Sequence, residues 1–129
     1  MSARDFPGTL EAAAEAEAWA AAQCARLALS ADAAFALSLC LEELFVNAVR
    51  HGGAHEIRLA LSRDELEFRD DGAAFDPTQA APKRLQGPSA DFEIGGFGVG
   101  LVQKYARRLF YQRADGWNIV RLAFSQASR

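Results

Sequence analysis

The chain is short of the residues that most readily announce a chemistry. Its 129 residues include two cysteines, two histidines, one methionine and four prolines. Cys24 and Cys40 both fall in apolar, helical-looking stretches. They read as buried thiols of a reducing cytoplasm, not as a disulfide or a metal pair. There is no basic run, and seventeen acids against fourteen bases leave a formal charge of −3. Such a chain is poorly equipped for direct nucleic-acid binding, which rests on neutralising phosphates. No stretch approaches the ~18–20 apolar residues that span a bilayer. The start of the chain lacks the basic-then-apolar layout of a secretory signal. No membrane association is expected, and a cytoplasmic location is. Internal repeats, low-complexity tails and domain linkers are also missing.

What is present suits one globular domain over 1–129. Half of the residues are hydrophobic and 24% are charged, the ordinary balance for one core. Alanine-rich 10–29 reads as a helix. Ser30 or Asp32 can cap a second helix running to about His51, where Gly52-Gly53 stops it. In that helix Leu37, Leu41, Leu44, Phe45 and Ala48 share an apolar face. The period then becomes two. Ile57, Leu59 and Leu61, then Leu66 and Phe68 across a turn at Arg63-Asp64, predict a hairpin with one greasy face.

Residues 73–95 carry Pro77, Pro82 and Pro88 with no clear period, the mark of a functional lid. The run Gly95-Gly96-Phe97-Gly98-Val99-Gly100 opens a third helix to about Arg108. Strands at 109–113 and 117–124 follow, joined by a turn at Asp115-Gly116. The order predicts an α+β two-layer sandwich: a mixed, mostly antiparallel sheet of about four to five strands, covered on one face by three helices.

Three places could carry chemistry. Glu43 and Asn47 are four apart and so lie on one side of the second helix. An amide oxygen suits a hard cation such as Mg²⁺, and a carboxylate can position or deprotonate a hydroxyl. Exposed polar residues on an amphipathic helix look the same. Asp70 falls on the face of Leu66 and Phe68, where a carboxylate is costly without a partner such as a ligand amino group. Gly72 lets backbone approach a flat ring. A plain strand-ending Asp-Asp-Gly turn has the same sequence. The glycines ahead of the third helix suit phosphate at a helix N-terminus, or a hinge. The three together, in this order, are the parts of a nucleotide site.

LEELFVNAVRHGG, FRDDGAAFDP and GGFGVGLV resemble the N, G1 and G2 boxes of the Bergerat-fold ATPases. The likeness is closest to the small bacterial anti-sigma-factor serine kinases. It runs from about Phe6 to Phe124, including the closing Tyr111…Gly116-Trp117-Asn118 pattern.

The resemblance implies ATP and Mg²⁺ as cofactors. It makes Asn47 the Mg²⁺ ligand, Glu43 the catalytic base and Asp70 the receiver of the adenine amino group. Gly72 and Ala74 would lie beside the ring, and Gly96, Phe97, Gly98 and Val99 on the phosphate side. Ala74 stands where the family often has a second glycine. Glu93-Ile94 stand where some members carry an arginine. The family's leading strand is nearly absent, because only a handful of residues precede Pro7. The implied function is a serine kinase that sequesters a sigma factor and phosphorylates an anti-anti-sigma antagonist, working as a homodimer. The alternative is a nucleotide-gated binding switch without phosphoryl transfer.

Overall fold

The computed structural model describes residues 1–78, Val102 and residues 105–124. In chain order they form β1 (Ser2–Pro7), α1 (Leu10–Arg26), α2 (Ala31–Val46), a π-helical turn (Asn47–His51), β2 (Glu56–Leu61), β3 (Glu65–Asp70), β4 (Arg108–Ala114) and β5 (Trp117–Ala123). The strands make one five-stranded sheet in the order β1-β2-β3-β5-β4. Every pairing among the described residues is antiparallel, so the sheet expected to be mostly antiparallel is antiparallel throughout these strands. Helices α1 and α2 pack on one face, giving the two-layer sandwich.

Two expectations at the edges change. A leading strand does exist, and β1 pairs along its whole length with β2. Its apolar signal is faint because only Phe6 is buried on it. That ring anchors the strand by edge contacts with Trp19 and Phe45, centroids 6.1 and 6.4 Å away. The helix expected after the glycine run ends before Arg108, which already belongs to β4. Val102 and Tyr105 are helical, and the Ala106 N–H donates to the Val102 carbonyl at 3.0 Å. The glycine run itself, and 79–95 of the expected lid, lie outside the described residues.

Local chemistry explains the boundaries. Thr9 and Ser30 cap α1 and α2, their hydroxyls accepting from Ala12 N at 3.2 Å and Ala33 N at 3.0 Å. Asp115 and Gly116 both have positive φ, 53° and 83°, the two-residue turn that Asp-Gly favours and that matches strand twist. The inner faces of the strands meet α2 through Leu37, Leu41, Leu44 and Phe45, all buried. Cys24 and Cys40 are free thiols inside this core. Burial raises both, pushing Cys40 up to about 12.

The end of α1 carries stored strain. Leu29 N donates to Cys24 O at 3.0 Å and Ala28 N to Ala25 O at 3.1 Å, the paired bonds of a Schellman motif. Arg63, in the β2–β3 turn, adds bonds from Nη1 to the carbonyls of Leu27 and Ala28 at 2.7 and 3.0 Å. Ala28 is held at φ 59°, where a Cβ costs about 1–2 kcal/mol. Part of that is offset by the greater unfolded-state entropy of glycine. Ala28→Gly is therefore expected to stabilise the fold by about 0.5–1 kcal/mol, read as a rise of a few degrees in thermal midpoint. An unchanged or lower midpoint would contradict the strained cap.

Candidate functional site

The site begins where α2 stops being a regular helix. The Asn47 N–H is shared between the carbonyls of Glu43 and Leu44. The Gly52 N–H reaches back five residues to Asn47 O at 3.0 Å. This widened turn is the kind of helix irregularity that gathers at functional sites. Asn47 is 8% exposed and Glu43 is half-buried on the same side. Glu43 Oε2 and Asn47 Oδ1 are both buried without a hydrogen-bond partner among the described residues. Orphaned acceptors of this kind are rare in folded proteins and imply a missing donor or cation. Burial raises the Glu43 carboxyl above its ordinary range, the adjacent Glu42 adds to the rise, and His51 opposes it.

The second half lies at one end of the sheet. On the helix-facing side, a row across four strands reads Leu59, Phe68, Val120, Tyr111. The next row reads Ile57, Asp70, Asn118, Arg113. The inner face thus changes from apolar to polar over two residues. Asp70 and Asn118 are 7% and 2% exposed. Asp70 Oδ1 accepts from Gly72 N at 2.9 Å and from Asn118 Nδ2 at 3.1 Å. Its Oδ2 takes no hydrogen bond among the described residues. Burial raises the Asp70 carboxyl; the bonds from Asn118 and Gly72 oppose this, Asp71 adds to it, and Arg113 opposes it. Asp71 is spoken for structurally, its Oδ1 accepting from His55 N at 2.7 Å and Glu56 N at 3.0 Å.

The segment after β3 joins the two halves. Ala73 N donates to Gly52 O at 2.9 Å, which seats the Asp-Asp-Gly turn against the end of the widened helix turn. A Cβ on Gly72 would stand 2.7 Å from Gly52 O and 3.0 Å from Asp70 Oδ1. Backbone packing is therefore sufficient reason for glycine there, before any ring is considered. Ala74 is exposed.

The structure thus brings Glu43, Asn47, Asp70 and Gly72 to one end of the molecule. Gly96, Phe97, Gly98 and Val99 lie outside the described residues. Sequence reasoning assigned no role to Asn118, Tyr111 or Arg113. Asn118 Oδ1 accepts from Tyr111 Oη at 2.6 Å and Phe75 N at 3.2 Å, while its Nδ2 also donates to Ala73 O at 2.8 Å. Arg113 donates to Gly72 O at 2.8 Å. The signal for Asn118 was present: alternation puts this polar residue on the same face as Val120 and Leu122.

The donor set fits a nucleotide with a hard cation. Asn47 Oδ1 is an unspent amide oxygen of the type Mg²⁺ accepts, and Asp70 Oδ2 is a free acceptor for an amino group. No group of three or more potential metal-binding side chains occurs among the described residues. A cation held by Asn47 would therefore draw its other ligands from phosphate and water, as Mg²⁺ commonly does.

The family called histidine kinase-like ATPase domain matches residues 6–124. The chain belongs to that family. It is 38% identical over 106 residues to the serine/threonine-protein kinase BtrW of Bordetella bronchiseptica, covering 76% of this chain and 75% of that protein. The fold is similar to the crystal structure of the RsbU and RsbW domains of Rv1364c from Mycobacterium tuberculosis, with a TM-score of 0.63 at 14% identity. That match covers 96% of this chain, which spans 32% of the larger one. No helix among the described residues is long and apolar enough to cross a membrane.

The raised Asp70 carboxyl has a consequence for stability. In the unfolded chain it ionises freely, whereas folding buries it. Its folded pKa lies above its unfolded one, so its contribution is most favourable in acid and is lost as pH rises. Asp70→Asn keeps an oxygen for Gly72 N and Asn118. It is expected to raise stability at neutral pH by about 1 kcal/mol, at the lower end of the cost of burying an imperfectly paired polar group. Thermal melts across pH would show the gap narrowing in acid. A variant less stable at neutral pH would contradict this.

Proposed function

We propose that the protein is an ATP-dependent serine/threonine protein kinase of the anti-sigma-factor type. In this reading it holds a sigma factor inactive and transfers phosphate to a serine of an antagonist protein. It works in the cytoplasm as a homodimer, without contacting nucleic acid or membrane. The observation that carries the reading is the pair of buried, unpartnered oxygens, Glu43 Oε2 and Asn47 Oδ1, one turn apart beside an Asp70 with a free carboxylate oxygen. The similarity to BtrW, named as a serine/threonine-protein kinase, supports the reaction class.

The residues divide the work. Asp70 accepts a hydrogen bond from the 6-amino group of adenine. Asn47 contributes one oxygen ligand to Mg²⁺, which when bound offsets the charge of the phosphates. Glu43 accepts the proton of the acceptor serine as its oxygen bonds to the γ-phosphorus and the bond to the ADP oxygen breaks. Its burial-raised carboxyl makes it a better base than an ordinary glutamate. Gly96, Phe97, Gly98 and Val99 take the phosphate side and Ala74 flanks the base. Positioning and charge compensation, not covalent chemistry, supply most of the acceleration in such transfers.

The direct test mixes the protein with Mg-ATP and candidate antagonist proteins encoded beside it, and looks for phosphoserine by mass spectrometry. Glu43→Ala should leave ATP affinity within a few-fold and lower transfer by about 10²–10⁴. Asn47→Ala should damage both affinity and transfer. Asp70→Asn should weaken ATP by roughly 1.5–3 kcal/mol, and GTP, with a carbonyl in place of the amino group, should bind poorly to the wild type. ATP binding without transfer to any partner would replace the kinase by a nucleotide-gated binding switch. Equal affinity for ATP and GTP would remove Asp70 from base recognition.

A further inference from the structure

One polar group in the β4–β5 hairpin stands outside the proposed chemistry. The Tyr111 hydroxyl, on the edge strand, meets Asn118 Oδ1 at 2.6 Å, and Asn118 in turn meets Asp70 at 3.1 Å. The polarity of this chain is not arbitrary. A carboxamide has one accepting and one donating end, and Asn118 is buried at 2% exposure with both ends engaged. Its accepting end faces two donors, the Tyr111 hydroxyl and the Phe75 N–H. Its donating end faces two acceptors, Asp70 Oδ1 and the Ala73 carbonyl. Turning the amide over would set its oxygen against a carboxylate and a carbonyl, and its NH₂ against the Phe75 N–H. Three of the contacts therefore bias the amide the same way, and in that setting the Tyr111 hydroxyl donates to its oxygen and holds it there.

We propose that Tyr111, acting through Asn118, is a positioning residue that fixes which oxygen of Asp70 faces the nucleotide base. With the amide so set, Asp70 Oδ1 is filled by Asn118 Nδ2 and Gly72 N, and Oδ2 is the oxygen left for a ligand's amino group. The charged neighbours of Asp70 are Asp71, which follows it just past the end of β3, and Arg113 on β4. Arg113 also pins the Gly72 carbonyl from the other side. Tyr111 is thus a specificity-determining residue for the amino group of adenine, two strands away from Asp70 in the sheet. The proposal rests on Asp70 being the base-recognising carboxylate.

Tyr111→Phe removes the hydroxyl and keeps the ring. The measurement is calorimetric affinity for Mg-ATP and for the purine riboside triphosphate that lacks the 6-amino group, over a range of pH. In the wild type ATP should bind more tightly than the analogue. In Tyr111→Phe the ATP affinity should fall about 3–10-fold, the scale of one hydrogen bond, while the analogue's affinity holds. The acid limb of the ATP profile should also move to higher pH, since a loosened amide stabilises the Asp70 carboxylate less. Asn118→Asp, which turns the donor into an acceptor of like charge, should produce the same two changes more strongly. It keeps the question open to measurement if the phenylalanine variant fails to fold. Equal losses for ATP and analogue, or an unchanged preference, would overturn the role of Tyr111 and leave Asp70 in place. A wild type that does not prefer ATP over the analogue overturns the role of Asp70 together with that of Tyr111.

Discussion

A carboxylate at the end of an apolar row has to be taken out of water and kept ready to accept a hydrogen bond from something else. Asp70 meets that constraint with one oxygen anchored and one that takes no hydrogen bond among the described residues, and much of the surrounding structure holds it so. Asn118 reaches it from the adjacent strand, Gly72 from the turn that follows, and Arg113 steadies the Gly72 carbonyl. These groups come from β3, β5 and β4, which is why the strands must end in register at this edge of the sheet. The Gly52 carbonyl then ties the same turn to the last turn of the helix that carries Glu43 and Asn47. Two motifs far apart in sequence are fastened by a single backbone bond.

The helical half of the site obeys a different constraint. A regular α-helix satisfies its own backbone and leaves side chains at its end to solvent. Here the widened turn from Asn47 to His51 prolongs the helix by a looser path, so Asn47 stays within the protein with an oxygen uncommitted. Both halves therefore spend folding free energy on polar atoms that contribute little to the free protein. Such expenditure is ordinary at sites built for a ligand.

Much of this could be read from the residues. The heptad-like face of α2, the hairpin from 56 to 70 and the Asp-Gly turn are short-range patterns, and each appears close to where it was expected. Asp70 stood out because alternation placed an acid on the greasy side. The rest depended on contacts that no local pattern encodes. β1 is an edge strand with one buried side chain, so its existence comes from pairing with β2 across some fifty residues. The π-helical turn has no compositional mark. The tie from Asn118 to Asp70 spans 48 positions, so no local pattern displays it. Gly72 suggested room for a ring, whereas its nearest claim on space is another backbone carbonyl.

The two thiols give the fold an unplanned gauge. Cys40 has no exposed surface and a pKa pushed up to about 12, so at neutral pH it has almost no thiolate to offer an electrophile. Cys24, at 5% exposure, lines a cavity between α1 and α2 and is the more accessible thiol. Labelling of Cys40, the slower of the two, by a small disulfide reagent must wait for the helical layer to lift from the sheet. The rate of colour development in an unmodified sample then clocks how often the helices part from the strands, a motion distinct from fraying at the chain ends.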